Sequence, residues 1–354
     1  MTYPPGPYGY GYPPPPPPPQ PGVIPLAPLG LGQLLTGAFT TYGRYWKPLI
    51  GVAVAAYGAE AVLTGGGFLI AYQAVKDDLD RLTHMTPHTT DFADFQPLVL
   101  AFGGVWFVAL LGLVVTAGLV GAAAPAVVQE AVLGRPVGFV TIWRRAWSRL
   151  GSVIGAVLLS ALASVVPMVL FLAGFALVMV GMITGINASG SDAAASTGLA
   201  VAGGVLLLVA VLTLPLWLWL YVKFSLAPAV AVIENQGPVA SLRRSAALVR
   251  GDWWRVFGYG LVAALIVGFI SMLLQQIVSM GSTVSMSSLY GSDGTATPGE
   301  IISAMFGSMM ILGFVQMLLQ AVFAPFLPLV NALLYVDQRL RKENLGPILA
   351  QQAV

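Results

Sequence analysis

One carboxyl group sits where charge is costly. Glu60 falls near the middle of an apolar run from about residue 48 to 75, with Tyr57 and Thr64 one turn to either side on the same helical face. A charged side chain at the centre of a bilayer costs at least ~2.5 kcal/mol, so Glu60 is expected to face a bundle interior, hold a proton or line water. No basic residue stands at comparable depth in any other apolar run. The residues therefore allow two chemistries. One is a proton- or ion-coupled site. The other is a protonated acid hydrogen-bonded to a neighbouring helix at Asn331, Gln316 or Gln320. His84, His88, Asp91 and Asp94 have the residue types of a metal site. Pro87 interrupts the helix that would give the histidine spacing its meaning, so a solvated loop is expected there. No Walker loop, HExxH or GxSxG motif occurs, and with no cysteine there is no thiolate chemistry. These residues predict neither catalysis, a resident metal nor a cofactor.

A second constellation is built from arginine and tryptophan. In GPVASLRRSAALVRGDWWRVFG, from Gly237, the residues Val239, Leu242, Ala246, Val249 and Trp253 recur at helical steps and predict one apolar stripe. Arg243, Arg244 and Arg250 fall off that stripe, and Trp253 and Trp254 follow, with Arg255 behind them. An amphipathic helix of this kind rests at the headgroup level, with indoles at the water–lipid boundary. Residues 135–150 repeat the pattern. Phe139, Ile142, Trp143, Ala146 and Leu150 form the stripe, Arg144, Arg145 and Arg149 are the cations, and Trp147 is the anchor. A first copy runs from Leu29 to Trp46 and Lys47. We call these three segments elbows. Anionic lipid headgroups are their expected partners, and nucleic acid is not.

Each elbow leads into apolar chain. The protein is 57% apolar and 8% charged, against about 25% charged in soluble domains, and predicts an all-α integral membrane protein. Six spans are expected at about 48–75, 98–124, 151–186, 199–222, 256–280 and 301–336. The third is long enough to kink at Pro167 or to project from the bilayer, and the sixth is broken by Pro325 and Pro328. Gly151-xxx-Gly155 and Gly181-xxx-Gly185 would allow close helix approach. Of 16 Lys and Arg, 14 fall in the N-terminal region, the elbow loops and the C-terminal tail, so both termini are placed in the cytoplasm and the acidic loop 76–97 outside. No secretory signal peptide is read at the start. Residues 1–28 form a Pro/Gly/Tyr-rich tail with seven prolines, Pro13–Pro19, that favour a polyproline II rod. The tail is either solvated chain or a docking strip for a protein partner. Residues 29–345 form the membrane domain, and 346–354 a short second tail.

The elbows also recur in register. Lys47, Arg149 and Arg255 each follow a tryptophan and are 102 and 106 residues apart, and Ala-Pro-Ala-Val occurs at 124–127 and 227–230. The pattern predicts three hairpins, each preceded by an interfacial amphipathic helix. The triplication, the proline-rich start and the stretch YVKFSLAPAVAVIENQGPVASLRRSAALVRGDWWRVFG resemble bacterial membrane proteins similar to the membrane domain attached to some glycerophosphoryl diester phosphodiesterases. The resemblance covers about 29–345. In two-part members of that family a soluble catalytic barrel follows. A barrel takes on the order of 200 residues or more, and about 18 follow the last span here, so a stand-alone membrane domain of the bacterial plasma membrane is expected. It implies no catalytic residue. The function expected is a non-catalytic module that organises lipids or partner proteins at the cytoplasmic leaflet. The alternative is a transporter or lipid-translocating protein that uses Glu60.

Overall fold

A computed structural model describes residues 21–84, 92–186, 189–289, 312–343 and 351. Every element in them is an α-helix: α1 Leu31–Arg44, α2 Trp46–His84, α3 Phe92–Val132, α4 Phe139–Gly185, α5 Ser191–Phe224, α6 Ala227–Ile233, α7 Pro238–Val249, α8 Trp253–Leu289, α9 over residues 312–323 and α10 Phe326–Glu343. Six stretches are long and apolar enough to cross a membrane: Trp46–Asp78, Gln96–Val132, Phe139–Gly185, Ser191–Ile233, Trp253–Gln276 and Leu312–Glu343. The chain is a multi-pass membrane protein by length and composition.

The helices outrun the expected spans. At 1.5 Å per residue, the 47 residues of α4 extend about 70 Å, over twice the ~30 Å of bilayer hydrocarbon. α4 stays helical through Pro167 and is long enough to project from the bilayer, one of the two outcomes expected there. The second elbow is also not a separate helix. Residues 139–150 are the first turns of α4, because nothing between Arg149 and Ser152 takes a turn conformation. The third elbow does turn. Arg250 is extended and Gly251 adopts φ +91°, a region glycine enters without strain, so α7 ends and α8 begins three residues later. The chain expected to loop at 76–97 is helical to His84 and again from Phe92. Of the two breaks expected in the sixth span, one is present, as a turn at Ala324–Pro325 between α9 and α10, whereas Pro328 lies in the first turn of α10, where a proline is tolerated.

Burial is concentrated at the arginine-rich end. There α1, the start of α2, the end of α3, the start of α4 and all of α6, α7 and α10 enclose one core. Leu34, Leu49, Val128, Ile142, Leu226, Val230, Leu248, Leu329 and Leu333 are buried in it. Residues 21–30 form a strap across this core. Val23 N–H donates to the Ala131 carbonyl at 3.2 Å, and Ile24 and Leu29 are fully buried. Gly22 passes so close to α3 that a Cβ would lie 2.1 Å from the Ala131 oxygen. Beyond the core the apolar helices are largely uncovered by protein, with Trp106, Leu111, Leu162, Leu212 and Leu265 all exposed. α4 and α5 stay paired there because Gly174 and Gly203 bring the two backbones together, and a Cβ on either would meet the other helix's backbone oxygen within 2.8 Å. Gly181 makes the same approach to Ser196 and Ala200, whereas Gly151 has open space beside it.

Candidate functional site

Seven arginines were singled out as headgroup contacts, and their surroundings sort them into two sets. Four turn inward. Arg145 donates to Glu130 at 3.0 Å and to Gln129 at 3.3 Å, tying the start of α4 to the end of α3. Arg149 reaches the Asn235 carbonyl at 3.4 Å. Arg244 of α7 donates to both oxygens of Glu234, at 3.1 and 3.2 Å, and to Glu343. Tyr335 adds a hydroxyl to Glu234 at 2.8 Å, and Arg339 closes the ring on Glu343 at 2.7 Å. Burial disfavours the Arg244 cation, but hydrogen bonds to Glu234 and Glu343 outweigh it and hold the guanidinium pKa above its ordinary value.

Arg255 belongs to the most buried of these clusters. Asp337 has no solvent exposure, and its carboxylate accepts from Leu29 N–H at 2.7 Å, from Arg341 Nε at 3.0 and 3.1 Å and from Arg255 Nε at 3.4 Å. Both arginines also donate to the Leu29 carbonyl, Arg341 at 2.9 Å. A buried carboxylate is tolerable when paired and fully hydrogen-bonded, as here. Lys342 donates to the Leu248 and Arg250 carbonyls at 2.7 and 2.6 Å, satisfying the open end of α7. None of these pairings was anticipated from the sequence. Arg339–Glu343 and Arg341–Asp337 are four apart on α10, a helical spacing the sequence does carry, whereas the other partners are 10 to more than 300 residues apart and no local spacing marks them.

The remaining three, Arg144, Arg243 and Arg250, are exposed, and their side chains have no partner among the described residues. Trp46, Trp147 and Trp254 are exposed at the same end, at 49%, 56% and 77%. Trp253 differs from them: it is half-buried, stacks on Phe257 and donates Nε1–H to the Trp219 carbonyl at 3.3 Å. The stripe expected on α7 is split between core and exterior, with Val249 buried and Val239 exposed. The protein-facing side of the helix is Ser241, Ser245, Leu248 and Val249, while Val239 is 61% exposed and Leu242 and Ala246 are only part-covered. Small serines allow α7 to lie close against the core, with the Ser245 hydroxyl donating to the Lys223 carbonyl at 2.9 Å. Val239 therefore shares an outer face with Arg243 and Arg250.

Glu60 lies at the α2–α3 contact. It packs on Gly112, where a Cβ would come within 3.3 Å of its Cγ, and nearby the Thr116 hydroxyl donates to the Ala56 carbonyl at 3.4 Å. The Glu60 Oε2 is buried and without a partner among the described residues. Tyr57 packs against Ala53, Val120 and Ala321, where α2, α3 and α9 meet. The structure does not bring Asn331 to this group. Asn331 is ten residues beyond Ala321 in one direction and Glu60 seven beyond Ala53 in the other, placing them roughly 25 Å apart along the helices. Gln316 and Gln320 line a cleft against α8 instead. His88, Asp91 and the side chains of His84 and Asp94 lie outside the described residues, as does the polyproline segment 13–19. Among the described residues no group of acids and histidines is placed to hold a metal.

No curated protein and no solved structure matches the chain. A family model described as a domain of unknown function, DUF7847, matches residues 26–337, a range that opens in the strap and closes on Asp337. It takes in both ends of the Leu29–Asp337 contact, and the chain belongs to the DUF7847 family.

Proposed function

We propose that the protein is a non-catalytic membrane module that grips the anionic leaflet on its arginine-rich side and organises lipids or partner proteins there. One observation carries this reading: Arg144, Arg243 and Arg250 stay exposed, with no side-chain partner among the described residues, while the other four arginines turn inward. Exposed Trp46, Trp147 and Trp254 beside them supply the indole anchors of a membrane boundary. In this reading the arginine-rich end is cytoplasmic, in a bacterial plasma membrane, and both termini lie on that side. The chain is three related hairpins, each entered through an elbow at the interface, and it is akin to the phosphodiesterase-linked membrane domains without acting as a phosphodiesterase. A carboxylate after each second span, Glu130, Glu234 and Asp337, meets an arginine, in keeping with that three-part plan.

Each surface arginine is worth about 1 kcal/mol toward anionic lipid. The triple variant Arg144→Gln, Arg243→Gln, Arg250→Gln is therefore expected to lose co-purifying anionic lipid, measured by mass spectrometry of detergent extracts, with an unchanged melting temperature. Equal anionic lipid on variant and parent would sink the reading.

The orphan Oε2 of Glu60 favours a second reading, a lipid-moving or ion-coupled protein with its polar handle between α2 and α3. That reading requires Glu60→Gln to abolish flux in proteoliposomes while folding is preserved.

A further inference from the structure

Between α8 and α9 lies a cleft of about 320 Å³ whose lining includes Ser271, Gln275, Gln316 and Gln320 and no charged residue. Gly268 and Phe323 line it as well. α8 leads away from the arginine-rich end and α9 returns to it, so Gln275 and Gln316 stand at the far end of the cleft and Gly268 and Phe323 at the near end. Counting from Trp253, Gly268 is about 22 Å and Gln275 about 33 Å along α8, which runs from inside the hydrocarbon to its far boundary. None of the four polar side chains hydrogen-bonds another described residue. Ser271, Gln275 and Gln320 are exposed, so the cleft opens sideways from the protein.

Unpartnered amides in hydrocarbon draw in whatever hydrogen-bonding group the membrane offers. Lipid is the abundant solute beside a cleft that opens sideways at that depth, and the described lining has no cation to pair with a phosphate. The lining descends in steps, with Gln275 and Gln316 at the boundary level, Ser271 and Gln320 about one turn deeper, and Gly268 and Phe323 deepest. We propose that the cleft binds a lipid with a small neutral headgroup, of the diacylglycerol class. The amides meet the hydroxyl and ester oxygens, and an acyl chain lies over Gly268 and Phe323. This inference is independent of the arginine belt, since it concerns the opposite half of the molecule.

The test uses the full chain in phosphatidylcholine nanodiscs with a diazirine-bearing diacylglycerol, cross-links being mapped by peptide mass spectrometry. Labelling is expected to concentrate on residues 268–275 and 316–323. The pair Gln275→Leu and Gln316→Leu removes two hydrogen bonds and is expected to reduce it about tenfold. Gly268→Phe fills the carbon end, where a side chain has open space, and is expected to reduce labelling without touching an amide. Labelling spread evenly over all apolar helices overturns the proposal, as does labelling unchanged by Gly268→Phe. A diazirine phosphatidylcholine that labels the same residues equally well overturns the headgroup selection.

Discussion

The two ends of α3 differ as sharply as two proteins. Around Trp106, Phe107, Leu110 and Leu111 its side chains are exposed, yet from Leu119 to Val132 nearly every one is buried. The same chemistry gives opposite outcomes because the solvents differ. In hydrocarbon an aliphatic side chain gains little by leaving lipid for protein, so helices are held by close small-residue contacts such as Gly174 with Gly203. At the arginine-rich end water is the alternative, burial is favourable, and the strap, α1, α6, α7 and α10 condense into a core like that of a soluble protein. Ion pairs follow the same division. Nine ion-paired acidic and basic side chains of α7, α8 and α10 and the residues beside them lock that core, while the membrane half holds the carboxyl of Glu60, unpaired among the described residues.

That contrast can be broken at its most buried charge. Asp337→Ala leaves Arg255 and Arg341 facing each other without a carboxylate, and is expected to destabilise the arginine-rich end by about 3–5 kcal/mol. Circular dichroism in detergent should then show an early loss of part of the helicity, with the spanning helices melting later. A single transition shifted down as a whole would mean the two regions are one cooperative unit, and an unshifted one would mean that the Asp337 cluster does not lock the core. Leu333→Ala, fully buried in α10, is expected to cost about 2–5 kcal/mol. Leu212→Ala removes the same atoms from the exposed face of α5, and thermal melts should place its cost below about 1 kcal/mol. If the two leucines cost the same, the division of solvents is wrong. Smaller still is Lys342→Met, which uncaps α7 at about 1 kcal/mol. Hydrogen exchange should detect it as faster exchange confined to α7 and the following turn.

The spans were legible because twenty apolar residues in a row have few alternatives, and so was the end of the molecule that gathers its positive charge. The face by which α7 packs on the core was not legible, for a physical reason. A periodic apolar stripe marks the face that avoids water, and beside a membrane that face can point to lipid as readily as to protein. Val239 points out and Ser241 points in, because a serine lets two backbones approach where a valine would hold them apart. The second elbow was missed as a continuous part of α4 because its stripe carries no information on whether a turn follows; Gly251, with φ +91°, shows where one does. Glu60 was legible as an anomaly, but its contact with Gly112 was not, since register between two apolar helices leaves no trace in either one.

The contact between Leu29 and Asp337 joins residues 308 apart. Translocation machinery can release helices into the bilayer as they are made, but the core at the arginine-rich end has no closing helix until α10 has left the ribosome. Through most of synthesis, then, the strap and α1 hold Leu29 and Leu34 without α10 to cover them, a surface that chaperones and quality-control proteases recognise. Maturation of this protein is timed by its last helix: a ribosome stalled before residue 326 would hold a chain whose membrane half is inserted and whose other half has yet to fold.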